Sequence, residues 1–439
     1  MKNLNVLLVC VGDLVSYRNH SRQHPLSKIK KLVHNIKRFG FLVPVLFDPK
    51  TMEIIAGHAR HIAAERLGME KVPAISIEGL TEAEIRALRI ADNKLAEGSE
   101  WNIDTLKTEL LELKDLNFDL SLTAFELPEI DMIILGEPDS NTAHEEIPEP
   151  PENPIVVLGD VFQLGKHRVA CIDCKDRESV SNLLEEKAID LVITDPPYNV
   201  KVNGHVLSHT KSHSEFAMAS GEMSKPEFTK FLTSVFEVFS EVSREGSLHY
   251  HFIDHKHIEE MLEAGSTAYD DRLNICVWSK TNAGMGSLYR SQHELCCLFK
   301  KGKEPHTNNI QLGKFGRHRS NVWSYPGMNT FSENRDELLS AHPTVKNTQM
   351  IADIILDASN LGDIVLDGFL GSGTTLLAAH QTQRICYGTE IEPKYIEVCI
   401  ARFQAISDEP VIHLETGLTF EELKLKRAET QVIEINNVG

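Results

Sequence analysis

Positive charge is what this 439-residue chain most lacks: 64 Asp and Glu stand against 45 Lys and Arg, a formal net charge of -19. Averaged over the chain, that excludes a general affinity for phosphates, so a nucleic-acid partner requires its basic residues to be gathered locally. Long apolar runs are also missing, which excludes a membrane-spanning segment. The start, Met1 to Gly12, is partly apolar, but Asp13 and Val15-Ser16-Tyr17 follow without a small-residue cleavage pattern. It reads as a first strand, and a cytoplasmic protein is expected. Cysteine is sparse, 8 scattered residues, which argues against a disulfide scaffold and suits a reducing compartment. Cys171-Ile172-Asp173-Cys174 has metal or redox spacing, yet no second pair lies at zinc-site distance, so structural thiols are expected. His249, His251, Asp254, His255 and His257 read as a surface or loop cluster where a strand leads into a helix, and no metal is expected. What remains is 41% hydrophobic, ample for cores, over a length that implies two or three domains.

Two strand ends carry the chemistry. The β-branched run Ile189 to Thr194 reads as a buried strand, and Asp195-Pro196-Pro197-Tyr198 follows it. An acid accepts hydrogen bonds from an exocyclic amine, rigid prolines fix the turn, and a tyrosine stacks on a ring. That set suits work on a base taken out of a nucleic-acid stack. Asp-Pro-Pro turns also end strands for structural reasons alone, since proline removes a ladder donor.

The second strand, Asp363 to Asp367, runs into Gly368-Phe369-Leu370-Gly371-Ser372-Gly373-Thr374-Thr375 and then an apolar helix. Glycines admit a ligand close to the backbone, and the helix start offers free N–H groups. The next strand, Ile385 to Thr389, ends at Glu390, placed to hold ribose hydroxyls. The loop has neither the three-glycine dinucleotide spacing nor a Gly-Lys-Ser/Thr ending. With no lysine after Gly373, a nucleoside without phosphates fits better than a triphosphate, and S-adenosyl-L-methionine is the candidate.

Over residues 155–425 the chain resembles amino-methylating DNA methyltransferases of the permuted (beta) class, in which the catalytic motif precedes the cofactor loop. Asp195, Pro196, Pro197 and Tyr198 match the catalytic tetrapeptide. Asp367, Phe369, Gly371, Ser372, Gly373 and Thr374 fall in the cofactor loop, and Glu390 matches the ribose acid. His342-Pro343-Thr344-Val345-Lys346 resembles the segment that contacts the methionine end of the cofactor, although Asn347 stands where the family usually has proline, which would loosen the turn. Asp173 matches a position that often faces the adenine of the cofactor. The resemblance implies a Rossmann-like α/β fold, twisted and mostly parallel, with the site at the strand C-terminal ends. It implies S-adenosyl-L-methionine as cofactor, double-stranded DNA as substrate and a possible homodimer. Adenine N6 is the expected target, because cytosine-N4 relatives more often carry serine where Asp195 stands.

Charge is distributed to suit this. Residues 78–153 hold 20 acidic against 5 basic residues, whereas 300–319 hold six basic residues against Glu304, and 1–40 hold eight against Asp13. Residues 280–340, starting near a glycine-rich stretch, are expected to form a target-recognition insert. Arg290, Arg317 and Arg319 are its candidate contacts to phosphates or guanine edges. His205, His209 and His213 fall in a polar loop after the tetrapeptide.

Residues 1–100 resemble the ParB-like nuclease-fold domain of partition proteins, a separate N-terminal α/β (ParB/sulfiredoxin-like) domain, through Gly57 and Arg60 and the stretch Ala91-Asp92-Asn93-Lys94. Partition proteins usually have Glu and Arg where His58 and Ala59 stand, which puts nucleotide turnover in doubt. No clear helix-turn-helix follows; a helical extension over 101–136, an acidic Pro-rich linker over 137–154, and a tail over 426–439 are expected. Two other readings compete with an active methyltransferase. One is a ParB-like regulatory DNA-binding protein with a secondary methyltransferase domain. The other is a combined restriction and modification enzyme, for which no Asp/Glu/Lys nuclease cluster shows persuasive spacing.

Overall fold

The computed structural model describes residues 5–18, 25–95, 101–136, 147–200, 221–281, 288–310, 318–327 and 346–438. The chain divides into two compact units, Met1–Gly136 and Glu137–Gly439.

The first unit is built from β1 (Val6–Cys10), α1 (Leu26–Phe39), β2 (Val45–Phe47), β3 (Ile54–Ala56), α2 (His58–Arg66), β4 (Lys71–Ser76), α3 (Glu82–Leu95), α4 (Ile103–Asp115) and α5 (Leu127–Leu135). Its sheet runs β1-β4-β2-β3, with only β2 and β4 parallel. Val45, Ile54, Val72 and Ala74 bury their side chains beneath Ala64 of α2. The amphipathic α1 ends at Gly40, which has φ +83°. Gly57 opens α2 in the left-handed region, and a Cβ there would press on the Arg60 guanidinium 3.1 Å away, so glycine is required.

The second unit contains β5 (Val161–Leu164), β6 (His167–Ala170), α6 (Arg177–Leu184), β7 (Ile189–Thr194), α7 (Lys225–Val242), β8 (Ser243–Ile253), α8 (Ile258–Ala268), β9 (Asp271–Lys280), β10 (His293–Lys300), β11 (Val322–Tyr325), α9 (Thr348–Ala358), β12 (Ile364–Asp367), α10 (Thr374–Gln381), β13 (Ile385–Thr389), α11 (Pro393–Ile406), β14 (Val411–His413) and α12 (Phe420–Val438). The strands form one sheet ordered β11-β9-β10-β8-β7-β12-β13-β6-β5-β14. Its centre, β8-β7-β12-β13-β6, is parallel throughout. The α/β, Rossmann-like class is therefore present.

Helices cover both faces. Ile351, Leu376, Ile400 and Phe403, from α9, α10 and α11, pack on one face; Leu183, Phe228, Phe236 and Met261, from α6, α7 and α8, pack on the other. Burying each of these side chains contributes about 1.5–3 kcal/mol. From β7 the chain crosses to β8 on one side, and from β12 to β13 on the other. The ends of β7 and β12 therefore diverge at a topological switch point, where such sheets open a crevice.

Two expectations are corrected here. His249 and His251 are not a surface or loop cluster. They lie fully buried in β8, and both hydrogen-bond the Tyr269 hydroxyl, at 3.1 and 3.0 Å. Burial pushes His251 down to about 3, so it is neutral. Residues 293–300, placed within a recognition insert, instead form β10, paired on both sides inside the sheet with Cys296, Cys297 and Phe299 in the core.

Candidate active site

The switch point brings the two sequence motifs together. Thr194, the last residue of β7, donates from Oγ1 to Asp367 Oδ1 at 3.1 Å, tying the strand before the tetrapeptide to the strand before the glycine loop. Asp367 also accepts from the Phe369 amide at 3.0 Å and the Thr375 hydroxyl at 2.6 Å. Burial nevertheless holds its carboxyl up at about 6.

On the β7 side, Asp195 faces Lys346, with Nζ 2.6 Å from Oδ2, while the Tyr198 hydroxyl donates to Oδ1. Lys346 Nζ lies 2.9 Å from Glu294 Oε2 and 3.1 Å from the Tyr198 hydroxyl. Lys280, at the end of β9, donates to Glu294 Oε1. Two carboxylates and two ammonium groups thus interlock around one phenol. Burial raises the Asp195 carboxyl above the usual range; the Lys346 charge opposes that and the Glu294 charge adds to it. Burial acts on Glu294 in the same sense, but Lys346 and Lys280 hold it down at about 2. Burial would lower Lys346, and the two acids hold it above its ordinary value. It is therefore a permanent cation.

Lys346 stands at the catalytic side of the crevice, with its ammonium shared among three acceptors. Asn347 accepts from the Met350 amide at 2.9 Å as the N-cap of α9. Glu294, Lys280 and Asn199 were missed by the motif reading. Asn199 sits at φ +54°, donating to the Met223 carbonyl at 2.7 Å and accepting from the Gly221 amide at 3.1 Å.

On the β12 side, backbone does the work. The Gly371 amide donates to Glu390 Oε2 at 2.9 Å, and the Glu392 amide to Oε1 at 2.9 Å. Burial, with Glu392 and Asp367 nearby, raises the Glu390 carboxyl to about 7 against these two bonds. Gly373 has φ +86°, and a Cβ there would lie 2.6 Å from Cys399 Sγ. Ser372 and Thr374 are buried, and Arg402 bonds the Ser372 carbonyl at 2.7 Å and its hydroxyl at 3.1 Å. Their side chains thus brace the loop from behind. Phe369 packs on Phe231, with ring centroids 6.2 Å apart. Asp173 follows β6, whose last residue, Ala170, accepts from the Glu390 amide at 3.0 Å, so both acids border one end of the crevice. Lys175 and Lys394 are matched by Asp173 at 3.3 Å and Glu392 at 4.0 Å. Among the described residues this rim is acidic with no surplus cation, which suits a hydroxyl-bearing, positively charged ligand and not a polyphosphate, so S-adenosyl-L-methionine fits.

The expected nucleic-acid contacts separate. Arg290 is exposed on the β9–β10 connection beside exposed Leu288 and Tyr289. Arg319 is turned inward as a correction to its expected role: it lies 2.8 Å from Asp357, 3.5 Å from Asp353 and 2.6 Å from the Tyr325 hydroxyl, an internal brace between β11 and α9. Lys301 also spends its charge internally, on the Ser243 carbonyl at 2.6 Å. Arg317, His205, His209, His213 and residues 342–345 lie outside the described residues.

Residues 189–402 match the DNA methylase family model of N6/N4 methyltransferases, residues 6–94 the ParB N-terminal domain, and residues 104–158 the ParB-methyltransferase HTH domain. The last of these is a helix-turn-helix that the sequence reading did not find. The type II methyltransferase M.HpaI of Haemophilus parainfluenzae is 27% identical over 249 residues, covering 53% of this chain and 73% of that enzyme. The ParB-like nuclease domain-containing protein YnaK of Escherichia coli (strain K12) is 42% identical over 81 residues, covering 18% of this chain and 92% of that protein. Among solved structures, the complex of M1.HpyAVI with SAM is similar at a TM-score of 0.40 and 20% identity, over 53% of this chain and 97% of that one.

Proposed function

We propose that the chain, whose residues 189–402 match the N6/N4 DNA methylase family and whose residues 6–94 match the ParB N-terminal domain, methylates adenine N6 in double-stranded DNA at a specific site. The observation that carries this is the Thr194–Asp367 bond, which sets the base-gripping tetrapeptide and the cofactor loop side by side. When bound, S-adenosyl-L-methionine supplies a methyl group already activated by a sulfonium, so the protein's task is to place and orient. Glu390, Asp173 and the turn from Gly371 to Gly373 would hold that cofactor.

An exocyclic amine is a poor nucleophile because its lone pair is delocalised into the ring. Asp195 accepts a hydrogen bond from the flipped amine, together with a proline carbonyl of the tetrapeptide, and so favours a more tetrahedral nitrogen. Its raised proton affinity suits it to receive the proton that the nitrogen sheds once methylated. Tyr198 stacks on the base, offsetting about 1–3 kcal/mol of the unstacking cost. The aspartate at position 195 supports adenine over cytosine N4, and the helix-turn-helix match at 104–158 supports DNA engagement.

The test is expression in a host without DNA methylation, followed by direct mapping of modified bases. N6-methyladenine at one recurring sequence is expected. N4-methylcytosine would move the target, and a blank map from a folded, cofactor-binding protein would favour a regulatory role.

A further inference from the structure

The catalytic side holds an acid that no motif names. Glu294, the second residue of β10, is only 17% exposed. Its Oε2 lies 2.9 Å from Lys346 Nζ and 3.2 Å from the Tyr198 hydroxyl. Those two groups also engage Asp195, one on each carboxylate oxygen. Lys346 and Tyr198 therefore share the same pair of acceptors.

This matters when a base arrives. The amine needs an oxygen of Asp195, where it competes with the Tyr198 hydroxyl and the Lys346 ammonium already bonded there. A buried phenol with a single acceptor would be left unsatisfied, a state that structures avoid. Tyr198 has Glu294 within reach, so a rotation of its hydroxyl transfers the bond without stripping it. Lys346 likewise keeps a carboxylate on its other side. Lys280 anchors Glu294 from below, and the two lysines keep it ionised, so it serves as an acceptor throughout the neutral range.

We propose that Glu294 is a positioning residue for methyl transfer, which takes over the Tyr198 hydroxyl and retains Lys346 while Asp195 engages the target amine. The proposal rests on the methyltransferase reading. A role confined to bracing the base of the β9–β10 connection is the competing account, and it predicts no special link to the Tyr198 hydroxyl.

The test uses the full chain with S-adenosyl-L-methionine and DNA from a methylation-free host, and measures kcat and the cofactor KM for wild type, Glu294→Gln, Tyr198→Phe and the double variant. Glu294→Gln should lower kcat about tenfold and leave the cofactor KM within about twofold. In the Tyr198→Phe background, where no hydroxyl needs a second acceptor, the same change should cost less than about threefold. Glu294→Leu should lower kcat further; should that variant fail to fold, the isosteric Gln variant still decides. A Gln variant within about twofold of wild type, or an equal loss in both backgrounds, overturns the proposal. A wild-type protein that transfers no methyl group overturns the parent reading and this proposal with it.

Discussion

The two sides of the crevice solve the problem of a buried acid in opposite ways. Beside β7, Asp195 and Glu294 are neutralised by the protein's own cations, Lys346 and Lys280. Beside β12, Asp367 and Glu390 are held by backbone amides and hydroxyls, and burial leaves them at about 6 and about 7. The catalytic side is complete in itself, with its charges paired before any ligand arrives. The cofactor side is left electrostatically open, which suits a ligand that brings its own positive charge and hydroxyl donors. The difference separates reaction from binding, so substitutions on each side should fail in different ways.

The largest effect is expected at Asp195. Asp195→Ala should reduce methyl transfer by about a thousandfold or more while leaving cofactor affinity within about threefold, measured by transfer assay and calorimetry. Loss of cofactor binding in that variant would erase the division between the two sides.

Glu390 gives the converse. Glu390→Gln should weaken the cofactor by about tenfold. The wild-type affinity should rise as pH increases towards about 7 and then level off, because the ribose hydroxyls are accepted by the ionised carboxylate. The sign for stability is opposite. A folded-state value raised from 4.5 to about 7 means the folded protein keeps a proton that the unfolded chain has released. The unliganded protein should therefore lose stability as pH rises through that window, and the Gln variant should lose less, because Asp367, held up at about 6, still contributes. Thermal melts of both proteins from pH 5 to 8 would read this directly; parallel curves would contradict it.

A smaller effect separates shape from charge on the cofactor side. Gly373→Ala should cost about 1–3 kcal/mol, since it combines a left-handed backbone with a Cβ against Cys399. Gly362→Ala, at φ +82° with open space around it, carries only the backbone part and should cost less in a denaturant titration. The smallest change is at the rim: Arg290→Ala should weaken DNA binding modestly and reduce the slope of log affinity against log salt by about one. An unchanged slope would remove Arg290 from the DNA contacts.

The chemistry at the strand ends was legible because it is local. A β-branched run followed by Asp-Pro-Pro-Tyr, and another followed by a glycine turn and an acid one strand later, each state their context in adjacent residues. The misses are non-local. β10 follows a glycine-rich polar stretch and looked like more of the insert, while its place is decided by pairing with β8 and β9. Glu294 was hidden with it, because only that pairing carries it to Asp195. His249 and His251 looked exposed because polar residues alternating with apolar ones suggest a one-sided strand. β8 is covered on both faces, and Tyr269, 18 to 20 residues away, hydrogen-bonds one nitrogen of each ring. Arg319 reads as a free surface charge until α9 supplies Asp353 and Asp357. Among the described residues, the segment matching the helix-turn-helix model includes α4 and α5 with a short 3-10 helix at Leu120–Thr123 between them, and no single stretch of it shows a strong period.

The most direct test of the central claim is a nucleoside analysis. Purified full-length protein is incubated with methyl-labelled S-adenosyl-L-methionine and unmethylated double-stranded DNA, and the digested DNA is resolved by mass spectrometry, with Asp195→Ala run in parallel. Labelled N6-methyldeoxyadenosine from the wild type, and none from the variant that still binds cofactor, is the predicted result. Equal labelling by both proteins, or label on another nucleoside, would contradict it.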